Sequence, residues 1–152
     1  MPVLTLLLAL LWQTPPVQWS ITAPAAKTQV QPGGKFTVTL AAEIAEGWHL
    51  YSLKKQEGGP IPTSITVPEG QPFGRAGEID APPPLSRFEE TFQLDIESYE
   101  GSAGFGVPVE VSRNAKAGPA TLAVHARYQA CDNRICLPPK TVKLELPVEI
   151  RP

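Results

Sequence analysis

The sequence predicts an all-β fold, an immunoglobulin-like antiparallel β-sandwich, and three observations carry that expectation. Apolar and polar residues alternate with period two through most of the chain, as in strands with one buried face. Turn signals built from Gly, Pro, Asn and Asp recur about every 8–12 residues, the spacing of a sandwich. Eighteen prolines and 12 glycines among 152 residues leave few places for a long helix, and no window of about 11 residues or more repeats with a helical period.

The elements follow in order. Residues 17–23 (VQWSITA) alternate and make a first strand, and Gln31-Pro32-Gly33-Gly34 is a turn. Residues 36–44 (FTVTLAAEI) alternate again, with Phe36, Val38, Leu40 and Ala42 on one face. Glu46-Gly47 ends that strand and residues 48–53 (WHLYSL) form the next. Gly58-Gly59-Pro60-Ile61-Pro62 is irregular, and residues 64–67 are a short strand. Pro82-Pro83-Pro84 is a stiff extended linker. Residues 92–99 (FQLDIESY) and 105–111 (FGVPVEV) alternate, and Pro108 inside the second marks an edge strand or a bulge. A turn at residues 114–119 leads into two closing strands, 120–128 (ATLAVHARY) and 142–150 (VKLELPVEI). The chain reads as one domain without internal repeats.

Residues 3–12 (VLTLLLALLW) form an apolar run too short to cross a bilayer as a helix, which takes about 20 residues. The run has the length of the apolar region of a secretory signal. No Lys or Arg precedes it, and the nearest small-x-small site, Ala23-Pro24-Ala25, lies some way downstream. A cleaved signal, an uncleaved anchor and a buried first strand are the three readings. Residues 1–16 are assigned to a signal peptide or N-terminal anchor and residues 17–152 to the domain, with no other membrane-spanning segment. Charged residues are 18% of the chain, below the usual quarter, in keeping with an exported protein.

Composition excludes several functions. A net charge of -2 offers no basic field for nucleic acid. Two Cys cannot staple a disulfide-dense scaffold, and one Met does not make a Met-rich copper carrier. No motif implies a bound cofactor.

Cys131 and Cys136 are the only thiols, separated by Asp-Asn-Arg-Ile on a loop or tight hairpin between the last two strands. As a staple the pair is poorly placed: closing so short a loop contributes about 2 kcal/mol in the chain-entropy model, against more than ~4 kcal/mol for a 100-residue loop. A short loop can also hold two sulfurs close enough to bridge and accessible enough for a partner thiolate to attack. Arg134 would favour a thiolate there and Asp132 would oppose it. Spacing alone leaves staple and redox pair both open. A zinc site from Cys131, Cys136, His49 and His125 is a third reading, but these residues lack finger spacing.

The segment Tyr128-Gln129-Ala130-Cys131 through Cys136-Leu137-Pro138-Pro139 resembles the redox motif of the N-terminal periplasmic domain of the thiol:disulfide interchange protein DsbD. Gly47-Trp48-His49-Leu50-Tyr51 is similar to that family's Gly-aromatic-x-x-Tyr stretch. Gly58-Gly59-Pro60 and Pro62-Thr63-Ser64 resemble its stand-alone members, the disulfide bond corrector domains. Glu89-Glu90-Thr91-Phe92 and Glu97-Ser98-Tyr99 resemble its cap-loop region. The resemblance covers about residues 17–150.

The resemblance implies an immunoglobulin-like domain in the periplasm, or otherwise exported. It would take electrons from a thioredoxin-like or membrane-embedded disulfide reductase and pass them to oxidised periplasmic proteins, an oxidoreductase activity without a cofactor. Carried over, Cys136 forms mixed disulfides with partners and Cys131 resolves them. Phe92 matches the aromatic of a cap loop over the sulfurs, and Glu90 an acidic position that assists proton transfer. Tyr51 and His49 line the site, the latter where the family often has an aromatic. The loop between the cysteines is one residue shorter than in the best-known members. Without the resemblance, Phe92, Trp48 and Tyr51 read as core aromatics and Glu89-Glu90 as a solvated turn. The alternative function is a non-enzymatic immunoglobulin-like binding or assembly module whose disulfide only pins a hairpin.

Overall fold

The structure is a computed structural model that describes residues 13–24 and 28–152. The apolar run at residues 3–12 lies outside the described residues, as does Ala25 of the small-x-small site.

The described residues form twelve strands and no helix: β1 (Val17–Thr22), β2 (Gln29–Val30), β3 (Lys35–Ile44), β4 (His49–Tyr51), β5 (Ser64–Thr66), β6 (Phe73–Arg75), β7 (Leu85–Glu89), β8 (Leu94–Tyr99), β9 (Ser102–Val111), β10 (Gly118–Tyr128), β11 (Ala130–Cys131) and β12 (Lys140–Ile150). They make three four-stranded sheets, ordered β1-β3-β9-β6, β2-β12-β10-β5 and β11-β4-β8-β7. Every pairing is antiparallel except the short one between β2 and β12. The all-β, immunoglobulin-like expectation holds.

The period-two pattern is what builds the core. In β3, Phe36, Val38, Leu40, Ala42 and Ile44 are all buried, while the residues between them face outward. In the register of β3 with β9, Phe36 lies opposite Val109, Val38 opposite Val107 and Leu40 opposite Phe105. Leu122, Val124, Ala126 and Tyr128 of β10 and Val148 and Ile150 of β12 complete the same cluster from the second sheet. Each fully buried aliphatic side chain contributes about 1.5–3 kcal/mol. Phe105 centres an aromatic group, stacked on Trp19 at 5.9 Å and meeting Tyr99 edge-on at 5.5 Å.

Pro108 does not make an edge. Strand β9 is flanked by β3 on one side and β6 on the other, and Pro108 lies opposite Thr37. The interruption is in the partner. The Pro108 carbonyl accepts from the Ala76 N–H at 2.9 Å, but proline has no N–H to return, and β6 stops at Arg75. Pairing on that side resumes at Asp80, which exchanges both bonds with Gly106 at 2.8 and 2.9 Å. The strand expected from residue 92 begins at Leu94 instead, because residues 90–93 form the turn joining β7 to β8. Strand β7 has no counterpart in the alternation pattern, since Leu85–Phe88 are all exposed.

The third sheet has two apolar faces. Leu50, Tyr99 and Ala130 point into the main core. Tyr51, Ile96 and Cys131 form a separate cluster, with Phe92 and Leu94 packed on it. Alternation within each strand sends neighbouring residues to opposite faces.

Replacing Leu40, which is 0% exposed, by alanine is expected to lower stability by about 3 kcal/mol, within the usual range for buried leucines. The half-buried Val142 should cost less than ~1.5 kcal/mol on the same change. Urea unfolding of both variants checks the pair, and equal losses would contradict this assignment of the core.

Candidate functional site

Cys131 and Cys136 are bridged, and the loop they close is a miniature hairpin. Leu137 N–H donates to the Ala130 carbonyl at 2.9 Å, and Asp132 N–H donates to the Ile135 carbonyl at 2.9 Å. Cys131 and Cys136 lie opposite one another between these bonds, with Cα atoms 4.0 Å apart. That is the non-hydrogen-bonded position of an antiparallel ladder, where opposed side chains come closest. The C-x4-C spacing is therefore the length of a hairpin with Asn133 and Arg134 at its tip. The side chain of Asp132 closes the tip: Oδ1 accepts from the N–H groups of Arg134 and Ile135, each at 2.7 Å. These two donors, Ile135 first, hold the Asp132 carboxyl below the usual carboxylate range, with the nearby Arg134 charge adding to them.

The two cysteines differ in environment. Cys131 is 3% exposed, whereas Cys136 faces solvent beside the exposed Ile135. Cys131 belongs to β11, which pairs with β4 so that Ala130 is opposite Leu50 and Cys131 opposite His49. Two further ties fix the hairpin. Gln129 Nε2 donates to the Leu137 carbonyl at 3.3 Å, and Gln129 Oε1 accepts from Ile61 N–H at 3.4 Å.

The cluster around Cys131 is covered from two sides. Phe92 reaches over from the β7–β8 turn and meets the Tyr51 ring edge-on at 6.5 Å. The Tyr51 hydroxyl donates to Glu89 Oε2 at 3.4 Å, across the strands from which the turn springs. Burial, then the Glu89 charge and this hydrogen bond, pushes the Tyr51 phenol well above its ordinary value. The second cover is the segment at Gly58 and Gly59. Gly58 has φ +76°, and a Cβ on Gly59 would sit 3.4 Å from Ile96 Cδ1 and 3.2 Å from Gln56 Cβ. A larger residue at either position would be strained or crowded.

His49 carries the site's second polar connection. Its Nδ1 lies 3.5 Å from Glu100 Oε1, and the same oxygen accepts from Arg87 Nη1 at 3.0 Å. A shallow cleft bounded by Trp48, His49, Arg87, Glu100 and Asn133 runs beside the cysteine hairpin.

Of the residues read from sequence, Cys131, Cys136, Tyr51, Phe92 and His49 come together here. Arg134 stands at the exposed hairpin tip. Glu90 is exposed, and its carbonyl accepts from Gln93 Nε2; the acid that reaches Tyr51 is its neighbour Glu89. Ile96, Leu94 and Glu100 escaped the sequence reading, and Gln129, quoted there only as part of the cysteine motif, gains its tie to Leu137 and Ile61 from the structure. Ile96 and Leu94 are legible as one face of an alternating strand, but which face meets the thiols depends on pairing. His125 lies on β10 opposite Thr66 and Lys143, in a different sheet from the cysteines. Among the described residues no three His, Cys, Asp or Glu side chains gather as a metal site, and no helix is long and apolar enough to cross a membrane.

Chemically, the site offers one sulfur to an incoming thiolate and keeps the other back. Attack on Cys136 would release Cys131 as leaving group into an apolar pocket, and the reverse reaction would reform the bridge.

Comparison with known proteins identifies the family and the fold. The family model described as "Thiol:disulfide interchange protein DsbD, N-terminal" matches residues 17–147. A crystal structure of the Neisseria meningitidis DsbD N-terminal domain in the reduced form superposes with a TM-score of 0.52 at 18% identity, over 74% of this chain and 77% of that one. The N-terminal periplasmic domain of ScsB from Proteus mirabilis gives a TM-score of 0.56 at 16% identity, over 90% of this chain. The aligned part is 47% of the ScsB chain, so this chain spans about half of that one. At such identities the two structures establish the fold alone. No curated protein matches the chain.

Phe92→Ala is expected to open Cys131 as a second point of attack, speeding reduction of the disulfide by dithiothreitol several-fold, and to cost about 1–2 kcal/mol of stability, since Phe92 is only half-buried. An unchanged reduction rate, measured by thiol alkylation and mass spectrometry, would show that Phe92 gives no cover. The phenols of Tyr51, Tyr99 and Tyr128 are all pushed up, chiefly by burial. Their contribution is therefore complete below the unfolded value, about 10, and is lost as pH rises through the folded values. Urea midpoints should fall from pH 9 to pH 11, and fall less in Tyr51→Phe; an equal fall would refute the assignment for Tyr51.

Proposed function

The chain belongs to the family of the N-terminal domain of the thiol:disulfide interchange protein DsbD, and from that premise we propose that it is an exported redox module acting through Cys131 and Cys136. Family membership and the bridged pair support thiol–disulfide exchange. The finer reading is that a thioredoxin-like or membrane-embedded reductase supplies electrons and oxidised periplasmic proteins receive them.

The observation that carries the reading is the unequal exposure of the two bridged residues. A donor thiolate attacks the Sγ of Cys136, forming a mixed disulfide and expelling Cys131 as a thiolate. The donor's second thiolate then attacks its own sulfur in that mixed disulfide, leaving with the donor's disulfide and freeing Cys136. Two electrons have passed to this chain, and two protons accompany them as the thiols form. The reverse sequence, run on an oxidised exported protein, passes those electrons on and restores the Cys131–Cys136 bridge. Burial protects Cys131 from adventitious oxidants and confines partner chemistry to Cys136. A staple has no need for this asymmetry, and so short a loop contributes little as one. Phe92, Tyr51, His49 and Arg134 fall into supporting roles around the pair, packing beside Cys131 or setting the local charge, and the acidic role read for Glu90 passes to Glu89, which meets Tyr51.

The assignment of roles is tested by trapping. Cys131→Ser should accumulate a mixed disulfide with an oxidised thioredoxin-like protein after acid quenching, because Cys136 is left without its resolving thiol. Cys136→Ser should form at least about tenfold less adduct, since the remaining thiol is buried. Equal adducts from both variants would overturn the roles, and no adduct from either would return the disulfide to a structural part.

A further inference from the structure

The hairpin that carries the cysteines is held closed by more than its disulfide. A two-residue tip normally takes a turn with positive φ, whose twist suits the flanking strands. Among the described residues the only non-glycine with positive φ is Gln93, so Asn133 and Arg134 form a different turn. The Asp132 carboxylate makes up for this, because its Oδ1 accepts from both Arg134 N–H and Ile135 N–H at 2.7 Å. Neither bond involves sulfur, so opening the disulfide breaks neither of them directly. The Asp132 N–H to Ile135 carbonyl and Leu137 N–H to Ala130 carbonyl bonds flank the cysteines, and the first of them lies within the turn that the carboxylate closes.

We propose that Asp132 is a positioning residue for exchange: its carboxylate keeps the reduced hairpin folded, so that Cys131 stays within bonding reach of Cys136. The inference rests on the exchange reading above and goes beyond it, because it assigns a determinant of the redox equilibrium to a carboxylate whose bonds are to backbone N–H groups of the hairpin. In the resolving step the Cys131 thiolate attacks the Cys136 sulfur of a mixed disulfide. The internal S–S bond forms, the partner's S–S bond breaks, and the partner thiolate leaves with the electron pair. The rate and equilibrium of that step scale with the effective concentration of one thiol at the other. A loop that opens on reduction lowers that concentration and makes the disulfide easier to reduce. Asp132 also carries a charge that opposes a neighbouring thiolate, so shape and charge must be separated by experiment. Asparagine keeps the accepting oxygen and removes the charge, whereas alanine removes both.

The test equilibrates the full chain with glutathione redox buffers and reads the oxidised fraction by alkylation and mass spectrometry. Asp132→Ala is expected to lower the equilibrium constant for bridge formation about fivefold, and Asp132→Asn to stay within about twofold of the wild type. The mixed disulfide of Cys136 with glutathione should also collapse more slowly in the alanine variant. Thermal melts of the oxidised variants confirm that each is folded. An unchanged constant in Asp132→Ala overturns the inference, and so does an equal shift in both variants, which would mean that charge alone acts. A folded wild type whose bridge never equilibrates with glutathione defeats the exchange reading itself, and this inference with it.

Discussion

The site hangs on a strand of two residues. Ala130 and Cys131 pair with Leu50 and His49, and alternation forces their side chains to opposite faces of the third sheet. Ala130 enters the main core and Cys131 the smaller cluster with Tyr51 and Ile96. One backbone pairing thus couples the packing of the sandwich to the position of a sulfur. A shift of register by one residue would exchange the two, placing the thiol in the main core and the methyl group at the site. The neighbours of β11 guard against such a slip. Tyr128 is buried just before it, with its hydroxyl donating to the Val17 carbonyl at 3.5 Å, and Gln129 ties the far side of the hairpin through Leu137.

Given that anchor, the rest of the site is arranged by depth. The hairpin projects outward from β11, so its first cysteine is buried and its second is not. The buried one belongs to a cluster that segments distant in sequence close over, Phe92 of the β7–β8 turn packing on it and the Gly58-Gly59 bend lying against Leu94 and Ile96. The Tyr51–Glu89 contact joins the floor of the site to the strand that carries that turn. Polar and charged groups lie at the rim: His49, Glu100 and Arg87 on one side, Asp132 and Arg134 at the tip. Apolar floor and polar rim together leave Cys136 in solvent and Cys131 buried.

The larger strands were legible because each buries one face and leaves the other in water, which writes period two into residues 36–44, 105–111 and 120–128. Strand β7 was illegible for the converse reason: its apolar residues Leu85 and Phe88 stay exposed, so burial imposes no pattern on it. Of the two expectations for Pro108, an edge or a bulge, the edge fails because β9 lies between β3 and β6, and the fold meets the missing N–H by interrupting the partner strand. Phe92 reads as the first residue of a strand, and it is the turn before Leu94 that frees it to fold over Cys131. Glu89 and Glu90 look alike in sequence. Strand direction decides between them, because Glu89 ends β7 opposite Leu94 and reaches Tyr51 while Glu90 has already left the sheet.

The sequence by itself determined the all-β class, the main strands and the position of the cysteine pair, because alternation and a C-x4-C pair are local patterns. It also carried the family resemblance, since the Tyr-Gln-Ala-Cys and Cys-Leu-Pro-Pro segments are contiguous in the chain. Only the tertiary structure decided which cysteine is buried, which acid meets Tyr51 and which residues pack on the cluster around Cys131. Those outcomes depend on strand register and on contacts between residues about 40 to 80 positions apart, and no local pattern encodes such pairings.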